Sequence, residues 1–262
     1  MAFETRGAAQ KARDSGLSLP PPYTLITLRE VGDAFGHAIE VAPKAGAGTL
    51  VYVGRFDLAE FAVVLEPDEP LRTARRVFYA GMAAIADALA ANAPPDIPLE
   101  IVWPDAIHVN GGLVGGGRLA WPRTAKEDET PQWLVFGAMI RTVSMLGEGG
   151  LTPLVTALEQ EGFEDFGSRE LVESFARHFM SANDAWNEKG FGEVAKSYLS
   201  RMTPEKGARR DIDENGDLTI RRMGKMGVER KSLVAALAEP SWLDPKTKGP
   251  KIFGAPLAQG PS

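Results

Sequence analysis

A chain of 262 residues can bury one sizeable core, since domains usually run about 100 to 200 residues, and it leaves room for a smaller second unit. Apolar residues at 44% and charged residues at 24% suit a soluble globular protein, and no apolar run approaches the ~20 residues of a membrane helix. A net charge of −6 and a pI near 5.3 argue against nucleic acid as a partner, and the absence of cysteine removes disulfides, cysteine zinc sites and any thiolate nucleophile.

Residues 1–24 carry positive charge without the apolar core of a secretory signal, and read as a flexible arm on a cytoplasmic protein with no membrane partner. A short helix is predicted from about Glu30 to Val41, with Ala34, Phe35, Ala38 and Ile39 on one side. Strands follow at Thr49 to Val53 and Leu58 to Leu65. Between Pro70 and Asn92, apolar residues at steps of three and four (Leu71, Ala74, Val77, Phe78, Met82, Ile85, Leu89) predict a helix with a buried face, begun by proline and stopped before Pro94-Pro95.

Four more strands are predicted at Leu99 to Val102, Ile107 to Val109, Leu113 to Ala120 and Trp133 to Ile140. A helix with Ser168 as N-cap then carries Leu171, Phe175, Phe179, Ala182 and Trp186 on one stripe. Strands in adjacent pairs, with helices between the pairs, predict an α+β fold: a mixed, largely antiparallel sheet with helices on one face. From about residue 203 the pattern changes to short, turn-punctuated strands, which predicts a small C-terminal β-rich module over 203–262 beside a main domain over 25–202.

Within that module Asp211 to Arg222 matches the first half of a calcium loop. It has Arg222 where a bidentate glutamate should close the shell, so a hairpin turn is predicted instead. His37, His108 and His178 are too far apart for a ligand pair at helical spacing, and no metal site is expected. His108, in mid-strand, is expected to be partly exposed.

The segment Ile101 to Pro122, IVWPDAIHVNGGLVGGGRLAWP, carries the chemical signal. Asn110-Gly111 tolerates the two positive φ angles of a type I′ hairpin turn. Gly115, Gly116 and Gly117 then bare the backbone of the returning strand, a means of bringing main chain close to a ligand or to another strand. Arg118 follows them, and a permanently charged fork beside bare amides suits a carboxylate or phosphate. The glycines lack the Gly-Lys-Ser/Thr ending and following helix of a phosphate loop.

This segment resembles the core motif of the biotin/lipoate A/B protein ligase family, in which Lys-Trp-Pro-Asn-Asp, a strand, a turn and Arg-Lys-Leu-Ala-Gly line an acyl-adenylate pocket. Trp103 and Pro104 stand for the tryptophan and proline, Asp105 for the asparagine and Gly115-Gly116 for the small pair. Thr156 to Gly162 (TALEQEG) and the helix LVESFARHF are similar to later stretches of the family, and Gly54-Arg55 keeps one Gly-Arg of its upstream loop. The resemblance spans roughly residues 25 to 200.

What it implies is a class II synthetase-like fold and a substrate site at Gly54, Arg55, Trp103, Pro104, Asp105, Gly115, Gly116, Gly117 and Arg118. The ligands implied are ATP with Mg and biotin or lipoate, and the partner a biotinyl or lipoyl carrier domain whose lysine is acylated. Val102 occupies the place of the lysine used by biotin ligases, and Leu113 that of lipoate ligases. A lysine contact offsetting the repulsion between carboxylate and α-phosphate is worth about 3 to 4 kcal/mol, so no catalytic residue is assigned. Two readings follow: a protein-acylating ligase, or a catalytically impaired relative that binds an acyl compound, nucleotide or carrier without adenylation.

Overall fold

The structure, a computed structural model, describes residues 16–145 and 154–252. Alternating apolar residues build seven strands: β1 (Thr24–Leu28), β2 (Thr49–Val53), β3 (Leu58–Leu65), β4 (Leu99–Val102), β5 (Ala106–Val109), β6 (Gly112–Ala120) and β7 (Leu134–Arg141). They form one sheet in the order β1-β2-β3-β7-β6-β5-β4. Every pairing is antiparallel except β1 with β2, which are parallel and joined by a helical crossover, α1 (Ala34–Val41). Asp33 caps α1, accepting from the Gly36 N–H at 2.9 Å.

The pleat divides β3 between two environments. Ala59, Phe61 and Val63 face the main core under α3 (Val77–Ala90), α4 (Ser168–Lys189) and α5 (Phe191–Ser200). Ala62 and Val64 face the other way, beneath α1 with Val51, Val53 and Val135. Helix α3 is buried almost all round, and its small residues permit that; a Cβ on Gly81 would lie 2.4 Å from the Phe136 ring.

The helix predicted over 70–92 is divided into α2 (Leu71–Ala74) and α3. The break falls where the Arg75 and Arg76 side chains bond back to the carbonyls of Arg72 and Thr73, at 3.4 and 2.9 Å, and compete for helical acceptors. Ser168 is the first residue of α4 rather than its cap. Its hydroxyl is drawn inward to Tyr52 Oη at 3.0 Å and the Leu58 carbonyl, and Glu170 accepts from the Gly167 N–H instead. His108 is buried, not partly exposed. The main chain closes over it, Nδ1 lying 3.2 Å from the Gly111 carbonyl, and burial lowers its pKa.

Residues 16–23 run along α4, the Ser18 N–H donating to Glu173 and Tyr23 Oη to the Ala176 carbonyl, while residues 1–15 lie outside the described residues. Beyond α5, strands β8 (Ala208–Ile212), β9 (Leu218–Arg222) and β10 (Glu229–Lys231) form a second sheet followed by α6 (Leu233–Ala238). The β8–β9 turn is a hairpin in which Asp213 Oδ1 accepts from the N–H groups of Asn215 and Asp217. Ile212, Leu218, Ile220, Leu233 and Leu237 join the main core, and Tyr79 Oη donates to the Gly216 carbonyl at 2.6 Å. Among the described residues no helix is long and apolar enough to cross a membrane, and no group of three or more His, Asp or Glu residues is placed to hold a metal ion.

Candidate functional site

Asn110 and Gly111 take φ of 51° and 79°, the two positive values that a type I′ hairpin needs, and return β5 into β6. Each glycine that follows serves a different close approach. Gly115 has φ of 152° at a register shift between β5 and β6, and a Cβ there would lie 1.9 Å from the Met139 carbonyl. A Cβ on Gly116 would lie 2.0 Å from the Asp105 carbonyl and 2.4 Å from Cδ1 of Trp242. One on Gly117 would meet Met82 Sδ on the opposite face at 2.6 Å. All three glycines are thus taken up by packing within this chain, Gly116 by its own tail.

Trp242 is fully buried on the face of β5–β7 away from the long helices, in a cluster with Leu58, Ala106, Leu113, Met139 and Val102. Its Nε1 donates to the Gly117 carbonyl at 3.0 Å. β5 begins at Ala106, so that carbonyl has no strand residue opposite it and the indole takes it. Truncating so buried an aromatic side chain typically costs about 3 to 5 kcal/mol. Val102 and Leu113, the positions at which the resemblance would put a lysine, both lie in this apolar nest.

Two buried charges hold the segment around Trp242. The Asp105 carboxylate accepts from Ser241 N–H at 2.8 Å and Ser241 Oγ at 2.6 Å, while the Asp105 carbonyl accepts from the Gly117 N–H. Burial raises the Asp105 pKa to about 6, against the two Ser241 bonds and the Lys251 charge, which lower it. Arg141 donates from Nη1 to the carbonyls of Leu113 and Thr156 and from Nη2 to those of Pro250 and Lys251, all within 3.2 to 3.4 Å.

Next to Gly116 on the same strand face stands Arg118, its side chain 15% exposed. Its guanidinium carbon lies 4.1 Å above the Phe35 ring, Nη2 makes a long 3.5 Å contact to Asp33, and the buried Nε has no hydrogen-bond partner among the described residues. Glu60, buried on β3, accepts from the Ala34 N–H that opens α1. Burial raises the Glu60 pKa and Asp33 adds to that, whereas Arg118 and Arg55 oppose it. Arg55 is held by a two-point pair with Asp57 at 3.0 and 2.7 Å in the β2–β3 turn, where Gly54 donates to the Leu28 carbonyl.

The residues singled out in the sequence therefore separate. Arg55, Gly116 and Arg118 share one neighbourhood with Glu60 and Asp33. Trp103 and Pro104 turn toward the long helices, Trp103 Nε1 donating to Tyr79 Oη at 3.1 Å and the Pro104 carbonyl accepting from Tyr198 Oη at 2.8 Å. Phe35, under Arg118, lies in the first turn of α1. Sequence reasoning missed Asp33, Glu60, Arg141, Ser241 and Trp242; the last two sit in a turn-rich tail with no periodic signal. A separate cavity of about 440 Å³, lined by residues including Thr142, Glu159, Phe163, Phe166 and Glu170, contains none of the expected site residues.

The profile of the biotin/lipoate A/B protein ligase family matches residues 19–200. A biotin protein ligase-like protein of unknown function from Silicibacter sp. TM1040 superposes with a TM-score of 0.73 at 28% identity, over 86% of this chain and 100% of that one. The biotin protein ligase from Aquifex aeolicus, in complex with biotin and ATP, superposes at 0.61 and 16% identity over 79% of this chain and 95% of that one. The Leishmania major enzyme, in complex with biotinyl-5-AMP, gives 0.50 and 16% over 81% and 100%. No match is found among curated proteins. The chain belongs to the biotin/lipoate A/B protein ligase family.

Proposed function

We propose that this chain binds a biotin- or lipoyl-type carboxylate, or its adenylate, against the Gly116–Arg118 edge, and that it does so without forming the adenylate itself. The observation that carries this reading is Arg118: a largely buried guanidinium over the Phe35 ring, whose Nε has no hydrogen-bond partner among the described residues and whose Nη2 makes a long 3.5 Å contact to Asp33. A buried donor left unpaired costs about 1 to 3 kcal/mol, and an anionic oxygen would recover it. Val102 and Leu113 supply no ammonium to offset carboxylate–phosphate repulsion. Native mass spectrometry of the purified protein tests the reading; a retained acid or acyl nucleotide supports it, and a ligand of unrelated chemistry contradicts it.

The second reading, acylation of a carrier-domain lysine through an acyl adenylate made from ATP and biotin or lipoate, is favoured by the two arginines whose charges both reach Glu60. Biotin- or lipoate-dependent ATP/pyrophosphate exchange separates the two. We expect none above background, and exchange at the rate of a working ligase would establish the second reading.

A further inference from the structure

We infer that residues 240–252 form an autoinhibitory strap, in which Trp242 occupies the sheet face where the ligand's apolar portion would lie, so that ligand binds only when the strap leaves. This rests on the acyl-binding reading above.

Three observations carry it. Trp242 fills the space that Gly116 leaves and packs against Leu58, Ala106, Leu113 and Met139, in a cluster separate from the main core. With the indole gone, those side chains would wall an apolar slot. Arg118 stands two residues along the same strand and can read an anion at the end of that slot. An elongated acid with an apolar body has this division of character.

The strap is also built to detach. It adds no strand to either sheet. Its bridge, Leu243 with Pro250, is internal, as are the bonds of its turn, Asp244 N–H to the Gly249 carbonyl and Lys251 N–H to the Trp242 carbonyl. Residues 245–248 are exposed. Polar contacts that bind it to the sheet include the Trp242 bond to Gly117, the Ser241 pair with Asp105 and the two Arg141 Nη2 bonds. Undocking returns the Asp105 carboxylate to water, relieving the burial that raises its pKa. Ligand affinity is then reduced by the fraction of molecules whose strap is open.

The test measures amide hydrogen exchange over 240–252 together with affinity for biotinyl-5′-AMP, in the full chain. Two variants are compared with the wild type: Trp242→Ala, which releases the strap, and Asp105→Cys with Ser241→Cys, which clamps it by a disulfide that reductant opens. The chain has no other cysteine, and mass spectrometry of the oxidised form verifies the disulfide before binding is measured. Loss of protection with at least 10-fold tighter binding in Trp242→Ala, and at least 10-fold weaker binding in the oxidised clamp than in the reduced one, is the expected result. Equal affinity in all forms overturns the strap and leaves the acyl-binding reading standing. No binding by any form, including one whose strap exchanges freely, overturns both. Should Trp242→Ala fail to fold, the oxidised and reduced clamp decides alone.

Discussion

The indole of Trp242 packs on the bare Cα of Gly116, two residues from the arginine that the sequence marks as an anion reader. The tail and the glycine cluster are thus one piece of structure. Gly116→Ala brings a methyl to 2.0 Å from the Asp105 carbonyl and 2.4 Å from the indole. Neither backbone oxygen nor ring can yield cheaply, so a loss of about 2 to 3 kcal/mol is expected, with Trp242 displaced. Chemical denaturation and quenching of tryptophan fluorescence read the two effects; full stability with unchanged quenching contradicts this packing.

Leu113→Lys replaces a residue of the Trp242 nest that is 4% exposed with a cation. An ammonium stranded there costs several kcal/mol unless Trp242 moves away. The variant is expected to melt well below the wild type and to show more mobile residues 240–252. A variant as stable as the wild type would mean that the nest already admits water.

The Asp105 carboxyl gives a pH signature. Its pKa is raised from the ordinary 3.8 to about 6, so the folded chain binds this proton more tightly than the unfolded chain. The stability it contributes is therefore present below about pH 4 and lost as pH rises toward about 6. At about 1.4 kcal/mol per pH unit, the full effect is about 3 kcal/mol. The groups bearing on Asp105 are the Ser241 hydroxyl and N–H, the Lys251 ammonium and Tyr198. Asp105→Asn can keep both bonds to Ser241 without a charge, so the wild-type stability minus that of the variant should fall between pH 4 and 6. A flat difference contradicts the burial of a charge at this position.

Much of the sheet was legible because strand alternation and the Asn110-Gly111 turn are local signals, whereas what approaches a glycine is not local. Gly115, Gly116 and Gly117 announced close contacts, but the partners are Met139, Trp242 and Met82, and Ser241 lies 136 residues from Asp105. Strand β1 went unread because its five residues, TLITL, follow a proline-rich segment and lie at the sheet edge, where burial is incomplete. Arg118 was legible as a charged fork after bare backbone; that Phe35 of α1 supports it was not, since nothing in the sequence sets which face α1 covers.

Arg141 joins the strap to β6 through four carbonyl acceptors, of which Leu113 also accepts from the Thr156 N–H at 3.1 Å. Arg141→Met should cost about 1 to 3 kcal/mol by removing a donor from buried carbonyls, and should raise exchange over 240–252 before the rest of the chain opens. Uniform loosening would instead assign Arg141 to the main core alone.

The most direct measurement is calorimetric titration of biotinyl-5′-AMP into the wild type and Arg118→Ala, with the melting temperature of each. A charged hydrogen bond to the ligand is worth about 1.5 to 3 kcal/mol, so affinity should fall roughly 10- to 150-fold. Stability should change by about 1 kcal/mol or less, since Arg118 gives up the Phe35 stack, a long contact to an exposed acid and a through-space attraction to Glu60, with which it forms no hydrogen bond among the described residues. Unchanged affinity, or a collapse in melting temperature, would contradict the assignment of Arg118 as the anion anchor.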